Sequence, residues 1–226
     1  LECLDWLKLF STTQKNRIID NLRVQSYSTR EVIARMGEPA ASWIGVIDGL
    51  LKINAVSGRG HAIMLGAVGA GAWVGEGTVI KNDPRRYSLT ALRPCSAVHV
   101  SRSLFMWMLD ESIHFNRYII DHLNERTGQF ISMLEVARTS SPVGRVAGSI
   151  VNLFNPLLNP NAKISLRITQ EELGELAGLS RSSTNQAVKF LSQSGLLRTQ
   201  YGGIEVIDFE NLSLFFTSDD QRTDIN

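Results

Sequence analysis

The stretch from Ile168 to Ile207 constrains this chain most, because two helix starts, a turn between them and a return hairpin follow one another there without a gap. Thr169 followed by Glu172 is a capping box, in which the hydroxyl accepts from the third helical amide and the carboxylate reaches back to the cap. Leu173, Leu176 and Ala177 give the first helix a buried stripe. Gly178 supplies a tight turn, and Ser180 is a second N-cap. The second helix is predicted from about Arg181 to Ser194. Its Ala187, Val188 and Leu191 recur at helical spacing and leave Arg181, Ser182, Asn185, Gln186 and Lys189 on the other face. No Asp or Glu occurs from Ser180 through Ile204, while Arg181, Lys189 and Arg198 are positive. This surface can therefore approach phosphates although the chain carries a formal net charge of only +1. Tyr201-Gly202-Gly203 joins two short extended runs into a wing. A helix-turn-helix with a wing reads DNA, and Thr169, Gln170, Ser180, Arg181, Ser182, Ser183, Asn185, Gln186 and Lys189 are its expected contacts.

Upstream, residues 1 to about 25 read as helical, with Trp6, Leu7, Phe10, Ile18, Ile19 and Leu22 apolar. Short strands follow. Trp43 to Ile47 and Leu50 to Ile53 flank Asp48-Gly49, a pair that tolerates positive φ and predicts a hairpin. Ser57-Gly-Arg-Gly60 predicts another turn before His61 to Leu65. Tyr87 to Leu92 and Ser96 to Val100 alternate as half-buried strands, separated by Pro94. Short strands at regular spacing argue for a double-sheet β roll.

A long helix is predicted from about Leu109 to Ala137. Leu109, Ile113, Asn116, Ile120, Leu123, Thr127, Phe130 and Leu134 alternate 4-3-4-3 along it, the spacing of a coiled-coil seam that a parallel partner would bury. The other reading packs the stripe on the chain's own roll. Thr139-Ser-Ser-Pro142 ends this helix as a hinge, Val143 to Phe154 starts another, and Asn155-Pro-Leu-Leu-Asn-Pro-Asn161 reads as a linker.

The residues from Ile168 to Leu191, with Gly195-Leu-Leu197, resemble the DNA-binding domain of the Crp/Fnr family of bacterial transcription regulators. Gly37-Glu-Pro-Ala40, Asp48 to Ile53, Gly69 to Glu76 and Gly144-Arg-Val-Ala147 fall in the order in which that family places its sensory roll, connecting helix and hinge. The resemblance implies an α+β chain in three spans. These are a jelly-roll (double-stranded β-helix) sensor over 1–108, a dimerisation helix over 109–138 and a winged helix-turn-helix over 139–226. It also implies a homodimer on an inverted-repeat operator, with RNA polymerase as a partner. Where the family reads a G-rich half-site it uses an Arg-Glu pair and a second Arg four residues after the Glu. Here Arg181 stands with Ser182 and Gln186.

In the family's cyclic-nucleotide receptors a Gly-Glu pair holds the ribose and an Arg-Ser pair about ten residues later holds the phosphate. Gly75-Glu76 fits that cassette. Arg85 or Arg86 fills the Arg position, but Arg86 or Tyr87 then stands where the small hydroxyl belongs. The positions that offer Thr-Ser to adenine are Phe130 and Ile131, which cannot make those hydrogen bonds. The expected effector residues are thus Gly75, Glu76, Arg85, Arg86, Tyr87 and Phe130. Two arginines can receive an anion by fork-like bonding, yet cyclic AMP is disfavoured, and the effector is unidentified. An alternative is a ligand-binding or protein-interaction module without DNA binding, because Glu171, Glu172 and Glu175 would repel phosphates if they faced a duplex.

Composition fits two modest cores, with 226 residues, 43% hydrophobic and 20% charged. The uncharged, Gly-rich stretch Ala62 to Gly75 is shorter than a membrane span, and no basic leader precedes an apolar run, so a cytoplasmic protein without membrane contact is expected. The first residue is Leu, so a short preceding piece is expected too. Cys3 and Cys95 are too few for a four-cysteine iron-sulfur sensor. His61, His99, His114 and His122 show no metal-binding spacing, and no nucleophile motif occurs, so neither metal, cofactor nor catalytic residue is expected.

Overall fold

Alternation along the strands produces two cores rather than one. The computed structural model describes residues 2–56, 62–139, 141–162 and 165–219. A 3-10 segment (Glu2–Leu9) and α1 (Thr12–Asp20) lead into β1 (Arg23–Tyr27), β2 (Val32–Ala34), β3 (Ser42–Asp48), β4 (Leu50–Val56), β5 (Ala62–Gly69) and β6 (Trp73–Val74). Then come α2 (Glu76–Lys81), β7 (Ser88–Ala91), β8 (Cys95–Ser101), α3 (Arg102–Glu111) and α4 (Ile113–Thr139). The strands form two antiparallel sheets, β1-β8-β3-β6 and β2-β7-β4-β5. Ile44, Val46, Val74 and Ala97 share a core with Leu51, Ile53, Leu89 and Ala91 of the other sheet. Their neighbours Trp43, Trp73, Val98 and Val100 join a second core with Trp6, Ile18, Phe105 and Phe115 from the helices, as the period of two along a strand requires. Trp43 and Trp73 stack with ring centroids 3.9 Å apart. Gly45 makes room for them, since a Cβ there would lie 2.6 Å from the Trp73 ring.

The described chain divides into two compact units: residues 1–126 with 156–161, and residues 127–155 with 162–226. The second holds α5 (Pro142–Asn152), β9 (Ser165–Leu166), α6 (Gln170–Ala177), α7 (Arg181–Gln193), β10 (Leu197–Gln200), β11 (Gly203–Val206) and α8 (Phe209–Asp219), with its small sheet in the order β10-β11-β9. Val146, Ala147, Ile150, Ile168, Leu173, Val188, Leu191 and Leu212 are buried in this unit.

Four sequence expectations are corrected. The N-terminal helix does not reach residue 25: Asn21 caps α1, its side chain bonding Arg17 O at 2.8 Å, and Arg23 begins edge strand β1. Asp48-Gly49 is a crossing, not a hairpin. β3 pairs with β6 and β8, and β4 pairs with β5 and β7. Gly49 has φ +98, and a Cβ on it would meet Cys95 at 2.4 Å, so the glycine serves a tight passage from one sheet to the other.

The long helix begins at Ile113, not Leu109. Ser112 is extended at φ -138; its hydroxyl accepts from Phe115 N at 3.2 Å and donates to Leu9 O at 3.1 Å. Leu109 therefore belongs to α3 and packs on the aromatic core. Asn116 donates to the Leu109 and Ser112 carbonyls, so its amide closes the α3–α4 junction. Finally, Pro156 to Asn161 is not a free linker. Leu158 and Asn159 are buried, and Asn159 Oδ1 accepts from Gly69 N at 3.1 Å within the first unit. The expected Ser57 to Gly60 turn and His61 lie outside the described residues. Among the described residues no helix is long and apolar enough to cross a membrane.

Candidate DNA-reading surface and effector site

Both caps expected in the helix-turn-helix form. Thr169 Oγ1 accepts from Glu172 N at 3.2 Å and Glu172 Oε2 from Thr169 N at 2.8 Å, which starts α6 at Gln170. Gly178 closes α6 at φ +63. Ser180 Oγ accepts from Ser183 N at 3.2 Å and starts α7. The two helices approach closely because Gly174 has no Cβ: one there would lie 2.7 Å from Thr184 Oγ1, and Thr184 is fully buried.

On the open side of α7, Arg181, Ser182, Asn185, Gln186 and Lys189 are exposed and Ser183 is half-buried; Gln170 is exposed and Thr169 half-buried at the start of α6. A groove of about 370 Å³ runs beside them, lined by Gln170, Asn185, Lys189, Gln193 and Thr199. The wing is β10–β11, turned by Gly202 at φ +70 with Tyr201 fully exposed. Arg198, one of the three cations expected here, is paired with Glu205 at 3.2 Å, and Gln200 donates to the same carboxylate at 2.9 Å. Arg181 and Lys189 make no ion pair among the described residues. Of the α6 carboxylates, Glu172 is committed to its cap, whereas Glu171 and Glu175 stay exposed.

In the roll, Gly75 stands at φ +99 immediately before α2. Glu76 is 2% exposed; its Oε1 receives Arg126 Nε at 3.0 Å, and Arg126 Nη2 donates to Trp73 O at 2.8 Å. Arg85, 5% exposed, donates from Nη2 to Ser42 O at 2.6 Å. A Cβ on Gly75 would lie 2.8 Å from Arg85 Nη1, so a side chain there would strain the backbone at this positive φ and push the guanidinium aside. Arg86 is exposed instead and faces Asp83 at 3.8 Å. Gly75, Glu76, Arg85 and Tyr87 thus fall together, Arg86 turns away, and Phe130 with Ile131 belongs to the second unit.

Burial weakens the charged forms in this place. The Tyr87 phenol is pushed up to about 12, by burial first and then by the Glu76 carboxylate. Burial lowers Arg85 below the usual guanidinium value. His99 is held below its ordinary value by burial and then by Arg85; its Nε2 bonds Tyr27 Oη at 2.8 Å and its Nδ1 bonds Ser42 Oγ at 3.1 Å. Among the described residues, three buried atoms here, Glu76 Oε2, Arg85 Nη1 and His122 Nδ1, meet no hydrogen-bond partner. An unpaired acceptor and an unpaired donor are what a ligand carrying a hydroxyl and an anionic group would satisfy. Arg126, Ser42 and His99 escape the sequence reading. Arg126 had one available signal, a cation four residues after His122 on the side of the helix that carries buried residues. Among the described residues no group of His, Cys, Asp and Glu could hold a metal.

A sheet roll with a buried polar cassette, followed by a winged helix-turn-helix, defines a DNA-binding regulator with a sensory domain. Residues 24–112 match the family described as cyclic nucleotide-binding domain, and residues 144–215 match the Crp-like helix-turn-helix domain. The chain belongs to the Crp/Fnr family and is a DNA-binding transcription regulator. It is 28% identical over 198 residues to the CRP-like protein Clp of Xanthomonas euvesicatoria pv. vesicatoria, covering 81% of this chain and 84% of that protein. Among solved structures, FixK2 from Bradyrhizobium japonicum shares the fold with a TM-score of 0.72 at 16% identity, covering 85% of this chain and 96% of that one. The c-di-GMP responsive global regulator CLP of Xanthomonas campestris has a TM-score of 0.64 at 22% identity, covering 88% of this chain and all of that one (100%).

Proposed function

We propose that the protein binds an inverted-repeat operator as a homodimer, each copy placing α7 in a major groove, with half-sites about 34 Å apart. The observation that carries this is the open face of α7, where Arg181, Asn185, Gln186 and Lys189 are exposed without an acidic side chain between them. Arg181 is suited to guanine O6 and N7, Gln186 to adenine N6 and N7, and Lys189 to phosphate. Dimerisation is supported by Ile113, Ile120, Phe130, Ile131 and Leu134 of α4, all exposed in the single chain; an apolar stripe of this length calls for a cover. The cytoplasm is the compartment of such a regulator, and RNA polymerase its protein partner. No catalytic step is assigned.

The roll is proposed to take a small anion, with Arg85 facing its charge and Glu76 a hydroxyl. The residues at the cyclic AMP hydroxyl and adenine positions, Arg86 and Phe130-Ile131, argue against that nucleotide. The relative described as c-di-GMP responsive makes the cyclic dinucleotide a second compound to test. Selection of bound DNA from a random pool, with and without each nucleotide, tests the whole proposal: an inverted repeat is expected, and its absence overturns the operator. The exposed Glu171 and Glu175 favour one other reading, a module that no longer binds DNA. A gel shift at two salt concentrations separates the two, because phosphate contacts lose affinity steeply as salt rises.

A further inference from the structure

Gly144-Arg-Val-Ala147 in α5 has no part in the operator proposal, yet Arg145 reaches the centre of the helix-turn-helix. Its Nη2 donates to Gly178 O at 3.0 Å, and its Nε is buried with no partner among the described residues. Gly178 is the residue at which α6 ends and the chain turns toward α7. Its own N–H points back to Glu175 O and Gly174 O, while its carbonyl lies at the negative end of α6, where a cation is favoured. Gly178 is confined to glycine twice over. Its φ is +63, and a Cβ on it would lie 2.8 Å from Arg145 Nη2, so any side chain there strains the backbone and displaces the guanidinium together. Two residues further on, Ser180 caps α7 and Arg181 opens it.

We propose that Arg145 is a positioning residue for DNA reading. It pins the turn of the helix-turn-helix to α5 and so sets the direction in which α7 presents Arg181 and Gln186. Bidentate base contacts tolerate misplacement of only about 0.5 Å and 10–20°, and a turn held by one hydrogen bond from a planar, always-charged group is stiffer than one held by solvent. Arg145 does not itself touch a base or a phosphate.

The proposal rests on the operator reading above and is tested on the full-length chain with Arg145→Gln, Arg145→Lys, Gly178→Ala and the double variant Arg145→Gln/Gly178→Ala. Affinity is measured for the selected operator and for unrelated DNA across a salt series, with a thermal melt of each protein. Arg145→Gln is expected to lose about tenfold in operator affinity, the worth of one charge-assisted hydrogen bond, while affinity for unrelated DNA and the salt dependence stay unchanged. Gly178→Ala should lose a similar factor, and the double variant no more than the worse single one, because both break one contact. Arg145→Lys keeps a donor and the charge, so partial rescue is expected; it also carries the test if the Gln variant fails to fold.

Full rescue by Lys, with the salt slope of the Gln variant falling by about one phosphate, makes Arg145 a direct phosphate contact and overturns the proposal. Multiplying losses in the double variant overturn it too. Wild-type protein that selects no operator overturns the operator reading, and this one with it; wild-type binding with multiplying losses overturns this one alone.

Discussion

Arg126 of α4 lies 3.0 Å from the Glu76 carboxylate, so the helix that follows the roll supplies the counter-charge to the roll's own buried acid. Glu76 is 2% exposed and Arg126 14%, which makes this a buried pair rather than a surface one. Removing one partner of such a pair leaves an uncompensated charge and costs about 3–5 kcal/mol. Arg126→Ala is therefore expected to lower the melting temperature markedly, whereas Arg126→Ala combined with Glu76→Gln should restore most of the loss. Calorimetric melts of the wild type, Arg126→Ala, Glu76→Gln and the double variant check it, and equal destabilisation of Arg126→Ala and the double variant would count against the pair.

The same contact shows where sequence reasoning stops. Caps, turn and wing were legible because each is a local signature: Thr169 with Glu172, Ser180, and Gly202 act on residues within a few positions of themselves. Gly75 and Glu76 were legible by resemblance, but Arg126 lies 50 residues from its acid, and nothing local marks that distance. Asp48-Gly49 misled for a related reason. The pair specifies a tight turn, but which strand lies beside β3 afterwards depends on β8, far along the chain. Ser112 and Asn116 were misread as well, because a 4-3 alternation continues through a break when the break is closed by hydrogen bonds between side chains and backbone.

Ile120 is 54% exposed in the single chain, whereas Leu123 packs against the roll's core, so the two seam positions separate dimerisation from folding. Ile120→Glu is expected to give a folded monomer with an unchanged melt and no operator binding, because a charge buried without a partner in a two-fold seam costs several kcal/mol. Leu123→Glu should also damage the roll. Sedimentation settles the matter: an Ile120→Glu protein that remains dimeric at micromolar concentration assigns the stripe elsewhere.

Cyclic AMP is expected to bind weakly or not at all. Arg86, at the hydroxyl position, faces Asp83, and Phe130-Ile131 offers adenine no hydrogen bond. Titration calorimetry measures this directly, and tryptophan emission, to which Trp73 with its carbonyl held by Arg126 contributes, gives a second signal. Submicromolar affinity that vanishes in Glu76→Ala would show that the cassette holds cyclic AMP after all.

His99 and His122 are both held below the ordinary histidine value of 6.5, in each case by burial first. A histidine with a lowered folded pKa favours folding fully above its unfolded value, and that contribution is lost as pH falls through the folded value. The protein should therefore keep its stability from neutral pH down to about 6.5 and lose it progressively below that. Replacing the buried ring with a group that does not titrate, as in His99→Gln, should flatten the acid side of the curve even if it lowers the plateau. Melts between about pH 7.5 and about pH 5, the window in which a histidine titrates, compare the slopes. An identical slope in the variant excludes His99 as a source.

Arg181 and Lys189 stand on one exposed face of α7 but are expected to fail in different ways. Arg181 is the first residue of the helix, where a guanidinium can clamp guanine O6 and N7; Arg181→Ala should cost roughly 1–3 kcal/mol and relax choice at a single base pair. Lys189 lines the groove with Gln170 and Thr199 and is the proposed phosphate contact, so Lys189→Ala should weaken all sequences alike and reduce the salt slope by about one contact. Gln186 suits adenine, so the half-site should keep one guanine and depart from the family's G-rich pattern at the positions read by Ser182 and Gln186. Titrations on a set of single-base operator variants distinguish the two residues. A uniform loss for Arg181→Ala, with selectivity intact at every base pair, would move it from base reading to phosphate contact.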